Sequence, residues 1–100
     1  MLKQAHVFII GDVIGVGFRA WTKIQAKIIG VSGWVRNNYE RPDIFGNQGG
    51  VEALIQSEDE EKIKKMIDLL HQGPPVSHVE KIEVYWNDPK EVFDSFEIRK

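Results

Sequence analysis

One hundred residues, 42% apolar and 28% charged, suit one small soluble domain that buries a core without disulfides or a structural metal. A formal charge of −2 argues against a nucleic-acid or anionic-membrane binder, and the absence of cysteine excludes thiol chemistry and zinc–thiolate sites. The first residues lack a signal peptide's apolar stretch and no run approaches membrane-spanning length, so a single domain over 1–100, cytoplasmic and monomeric, is expected.

The chain opens on an alternating strand pattern, roughly Ala5–Ile14. Overlapping its end is a glycine-rich stretch, Gly11-Asp12-Val13-Ile14-Gly15-Val16-Gly17-Phe18-Arg19, and then a helical pattern from Ala20 to Ile29. In that helix Phe18, Trp21, Ala26, Ile28 and Ile29 form one broad apolar face, with Lys23 and Lys27 opposite. Gly30 is placed to end it in a left-handed cap. Val31–Asn37 and Val51–Gln56 read as strands, the second with Val51, Ala53 and Ile55 pointing inward. Between them, Tyr39–Gln48 carries Pro42, Gly46 and Asn47 and reads as a loop. That loop is first a surface decoration, and second a candidate to shape the mouth of a site near Asn37.

Ser57 and Glu60 match a capping box opening a second helix. Its stripe is Ile63, Met66, Ile67 and Leu70, and Gly73-Pro74 stops it. Ile82-Val84-Trp86 and Phe96-Ile98 then alternate as a long strand and a return, or a hairpin around Asn87–Glu91. The fold expected from this order is α+β, a ferredoxin-like βαββαβ sandwich whose antiparallel sheet is covered on one face by two helices.

The turn between the first strand and first helix carries the chemistry. Glycines let main-chain N–H groups converge on one point, a nest that favours an anion. A helix start adds unpaired donors and partial positive charge. Arg19 adds a guanidinium able to hold two oxygens of a phosphate. The spacing fits neither the dinucleotide fingerprint nor the nucleoside-triphosphate loop, which ends in Gly-Lys-Ser/Thr. The reading is a phosphate cradle without a nucleotide.

Further motifs extend it. The order G-x-V-x-G-V-G-F-R, then Ala26, then Gly30-Val31-Ser32-Gly33-Trp34-Val35-Arg36-Asn37, then Val51-Glu52, then Gly73-Pro74-Pro75 resembles the acylphosphatase family from about Val7 to Ile98. The resemblance implies metal-independent hydrolysis of small acyl phosphates with no cofactor. It also implies that Gly15, Val16, Gly17, Phe18 and Arg19 bind phosphate while Asn37 holds the attacking water. The chain departs from the family at Ile14, where Gln is usual, and at Asp12, where a basic or polar residue is common. An acid pointing into the site would repel substrate. These departures leave a second reading, a non-catalytic anion- or protein-binding module on the same scaffold.

Other candidates are weaker. Arg36 should point away from Asn37 within one strand, as a surface charge. Trp21 and Trp34 are apolar mass first, and one of Tyr85 and Trp86 must face outward. Lys62, Lys64 and Lys65 belong to a solvated helix face, and the acidic run Glu58–Glu61 suits a helix start. His6, His71 and His78 have no partner at catalytic spacing and default to surface or turn roles. Neither Thr22 nor Ser32 has the partners of a nucleophile.

Overall fold

The computed structural model describes residues 1–100. In chain order they form β1 (Lys3–Asp12), α1 (Phe18–Ile29), β2 (Ser32–Asn38), a single helical turn α2 (Pro42–Phe45), β3 (Gly50–Ser57), α3 (Glu60–Gln72), β4 (His78–Asn87) and β5 (Phe96–Ile98). The inward phase of each central strand (Ala5, Val7, Ile9; Val51, Ala53, Ile55) has no exposed surface. It packs against Phe18 and Ala26 of α1 and Ile63, Met66 and Leu70 of α3 in one core. The expected periodicities thus bury one sheet face under two helices.

Strand order is β4-β1-β3-β2-β5. β1 pairs antiparallel with β3 and β4, and β3 antiparallel with β2, which is the ferredoxin-like arrangement. The antiparallel strands gain one parallel neighbour, and of the two courses expected for the last segment, a return or a hairpin, the hairpin is not adopted. β5 joins β2 in parallel, at the edge farthest from β4, through Gly33↔Phe96 and Val35↔Ile98.

Two local interactions explain that crossing. Gln56 is fully buried, and its Nε2 donates to the Glu91 carbonyl at 2.6 Å while its Oε1 accepts from Phe93 N at 3.1 Å. The connection after β4 is thereby pinned across the end of β3. Phe96 then reaches the core at 3% exposure, beside Gly33. Gly33 has φ +135°, and a Cβ there would run into the Leu54 carbonyl. A hairpin return would leave Phe96 outside the core and these polar groups unpaired.

Two smaller expectations also change. α1 begins at Phe18, and its buried residues are Phe18, Thr22 and Ala26, whereas Ile28 is 73% exposed. Ile28 lies about 200° around the helix from Ala26, so it cannot share that face. α3 is capped by Asp59, whose side chain accepts from Glu61 N at 3.0 Å; Ser57 instead accepts from Asp59 N. Tyr85 and Trp86 are both about half exposed. Gly30 does adopt the left-handed cap, its N–H bonding the Ala26 carbonyl at 2.8 Å.

The 39–48 segment is more than a plain loop. Phe45, on its one helical turn, is 3% exposed and packs on Phe8 with ring centroids 5.9 Å apart. Phe8 belongs to the sheet face away from the helices, so this segment shields apolar surface that two helices leave bare.

Replacing Gln56 with leucine strands the Phe93 N–H and the Glu91 carbonyl. The Gln56→Leu protein is expected to lose about 3 kcal/mol in urea unfolding. A loss under about 1 kcal/mol would mean the crossing is held by Phe96 alone.

Candidate active site

The segment from Val13 to Gly17 carries the chain from the end of β1 to the start of α1. Gly15 and Gly17 have φ of +75° and +77°, and a Cβ built on either meets nothing within 4 Å. Backbone conformation, not crowding, demands glycine here, and the space over the turn stays open. Gly17 is the N-cap of α1 and no side chain caps the helix. The first-turn N–H groups therefore keep their donor capacity for another acceptor.

Arg19 lies in that first turn. Of the four arginines, Arg36, Arg41 and Arg99 each sit within 4.0 Å of a carboxylate, and Arg19 does not. Its charge is not neutralised by a neighbouring acid. Gly15, Gly17, Phe18, Arg19 and Asn37 line one cavity of about 230 Å³, walled by Val13 and Ile98. Val16 is the one expected site residue that does not line it; its side chain packs against the core.

Asn37 arrives from a distant part of the sequence through strand register. Asn37 pairs with Val51, and Val51 pairs with Ile9 near the end of β1. The far end of β2 is thus placed beside the glycine turn, with Asn37 on the helix side of the sheet. Its side chain has one polar contact, from Nδ2 to the Tyr39 hydroxyl at 3.5 Å.

A neighbouring cavity of about 340 Å³ shares Arg19 and Asn37 and adds Arg36, Asn38, Tyr39, Glu40 and Lys100. The start of the 39–48 segment therefore shapes the site, while its middle shields the sheet. Asp12 is exposed and lines neither cavity, and Ile14 packs toward the core. His71 and His78 line neither cavity as well.

Sequence reasoning missed a polar cluster beneath the site. Glu52 is only 5% exposed. Its Oε1 accepts from Arg36 Nε at 2.8 Å and from Asn38 Nδ2 at 2.9 Å, and its Oε2 lies 2.6 Å from His6 Nε2. Arg36 is thus an ion-pair partner and not a free surface charge, and His6 does have a partner. Burial pushes the Glu52 carboxyl up, but the hydrogen bonds from His6, Asn38 and Arg36 outweigh it and hold the group down at about 2. The signal was a glutamate in the alternating β3 strand, but its partners follow only from strand register.

A ferredoxin-like α+β sandwich with an open glycine turn between its first strand and first helix defines the class. The acylphosphatase family model matches residues 5–98, and the chain belongs to that family. An acylphosphatase of Thermococcus kodakarensis is 44% identical over 87 residues, covering 87% of this chain and 86% of the relative. The crystal structure of acylphosphatase from Bacillus subtilis superposes with a TM-score of 0.84 at 29% identity, covering 100% of both chains. The chain also matches 12% of full-length HypF, over all its own residues, at 25% identity and a TM-score of 0.83.

The Glu52 carboxyl titrates lower in the folded chain than the ordinary 4.5, so its contribution is complete above pH 4.5 and fades as pH falls toward about 2. A gap of about 3 kcal/mol at neutral pH is the upper bound. Urea unfolding of the wild type against Glu52→Gln is expected to show that gap narrowing steadily below pH 4.5. A gap constant down to pH 3 would remove the assignment.

Proposed function

We propose that the chain hydrolyses acyl phosphates to a carboxylate and inorganic phosphate, with the glycine turn and Arg19 holding the phosphoryl group and Asn37 orienting the attacking water. The observation that carries this reading is the single cavity between the glycine turn, Arg19 and Asn37. Gly15, Gly17, Phe18 and Arg19 contribute from its rim, and Val16 contributes through the main chain of the same turn.

In the reaction a water oxygen attacks phosphorus while the bond from phosphorus to the acyl oxygen breaks. The electron pair leaves on a carboxylate, and the water's proton passes to phosphate or solvent. A carboxylate is stable at neutral pH, so no general acid is needed to protonate it. What remains is to stabilise charge on the transferring group and to place the nucleophile in line. A guanidinium and fixed main-chain donors supply positive field without reorganising. The Asn37 carboxamide can accept from the water and donate to a phosphoryl oxygen, which fixes the water's direction.

The same proposal has the enzyme acting as a cytoplasmic monomer on a small molecule, not on a nucleic acid. No helix is long and apolar enough to cross a membrane.

With an aryl acyl phosphate and chelator present, the wild type is expected to turn over. Arg19→Ala should lower kcat/KM by at least about 100-fold. Asn37→Ala should lower kcat about as much while inhibition by inorganic phosphate changes little. Full turnover by Arg19→Ala would remove the phosphate-holding role of Arg19, and full turnover by Asn37→Ala would remove the water-orienting role; only a wild type without turnover would favour the binding-module reading.

The pH–rate profile supplies an independent check. Neither an arginine nor a carboxamide titrates near neutrality, so kcat is expected to stay flat through that range. A bell centred between about pH 6 and 7 would implicate a histidine and contradict the assignment.

A further inference from the structure

Asn37 needs a fixed direction to hold a water in line, yet almost nothing on its own face fixes it. Its single polar contact is 3.5 Å long, to an exposed tyrosine. The strand beneath it is also thinly supported. Pairing of β2 with β5 ends at Val35, where the last main-chain bond runs from Arg99 N to the Val35 carbonyl at 2.8 Å. From Arg36 to Asn38 the strand has β3 on one side only.

The opposite face of the sheet supplies what is missing. Arg36 and Asn38 flank Asn37, and strand alternation turns both side chains toward the opposite sheet face, away from the cavity at the glycine turn. Both donate to one oxygen of Glu52, at 2.8 Å and 2.9 Å, while His6 bonds the other oxygen at 2.6 Å. Asn38 also accepts from Glu40 N at 2.8 Å through its Oδ1, which fixes the turn leading to Tyr39 and Glu40. One buried carboxylate therefore ties down the residue before Asn37, the residue after it, and the exit of the strand.

We infer that Glu52 is a positioning residue for the hydrolytic step, acting through the Arg36–Asn38 clamp to aim the Asn37 carboxamide. It touches no substrate. The inference rests on the water-orienting role proposed above for Asn37. Small displacements of a positioned nucleophile cost rate without costing affinity, so the effect should fall on kcat and spare KM.

The test uses three variants on an aryl acyl phosphate. Asn38→Ala removes one leg of the clamp and leaves the Arg36–Glu52 ion pair intact. Glu52→Leu removes both legs, and Glu52→Gln keeps a carbonyl oxygen that accepts from Arg36 and Asn38. Folding of each is checked by near-ultraviolet circular dichroism, and Asn38→Ala decides the matter should Glu52→Leu not fold.

Asn38→Ala and Glu52→Leu are expected to lower kcat about ten- to a hundredfold at unchanged KM and unchanged phosphate inhibition. Glu52→Gln should recover most of that loss. In an Asn37→Ala background, Asn38→Ala should cost little further turnover, because the group being aimed is gone.

A folded Asn38→Ala protein with wild-type kcat would overturn the inference, and so would an equal fold-loss in the Asn37→Ala background. Should Asn37→Ala alone keep full turnover, the reading of Asn37 falls and takes this one with it. A loss on Asn37→Ala without a loss on Asn38→Ala sinks the positioning role alone.

Discussion

Strand register at one residue decides whether this chain has a site. Val51 pairs with Ile9 on one side and with Asn37 on the other. Neighbouring strands stand nearly 5 Å apart, so Asn37 comes within about 10 Å of Ile9, close to the end of β1. The chain leaving β1 must travel back over the end of β3 to start α1, which packs on β2. Its glycine turn is therefore laid beside Asn37. A slip of one residue in either pairing would turn Asn37 to the opposite sheet face, where it could not meet Arg19 at all.

Charge is distributed to suit an anionic substrate on a weakly acidic protein. Three of the four arginines are held by acids, and the fourth stands at the cavity rim with none. Glu52, the acid nearest the site in strand register, spends its charge on Arg36, Asn38 and His6 across the sheet. Asp12 stays outside both cavities. Asp12 thus adds no negative charge to either cavity, and Glu40 lines the neighbouring cavity but not the one at the glycine turn. Arg19 and the open helix start are what an incoming phosphoryl group would meet first.

What could be seen in the sequence was local. The glycine turn, both amphipathic helices, the left-handed cap at Gly30 and the inward phases of β1 and β3 each follow from spacing within a few residues. Arg19 and Asn37 could be singled out as candidates because their flanking motifs are long, and the fold brings them to one cavity. The path of β5 was not legible, since it depends on Gln56 meeting Glu91 and Phe93 across 35 and 37 residues. Nor was the Glu52 cluster, whose members lie on three strands and join only once register is set. The misplacement of Ile28 has a simpler cause: an apolar residue was assumed to lie on the apolar face, and helix geometry puts it on the solvent side.

The connection between β2 and β3 follows from the same logic. Its length adds little closure entropy, because that cost grows only with the logarithm of length. The hazard is local, since slack beside Asn37 would spoil its aim. The chain is fastened on both sides of that slack. Asn38 grips Glu52 and the Glu40 N–H where the segment leaves the sheet, and Phe45 docks on Phe8 before it returns. The exposed positions Arg41 to Asp43 between those fastenings can therefore vary without disturbing the Asn37 end of β2. Extra length is tolerable next to a residue that must hold its direction when each end of it is anchored to the sheet independently.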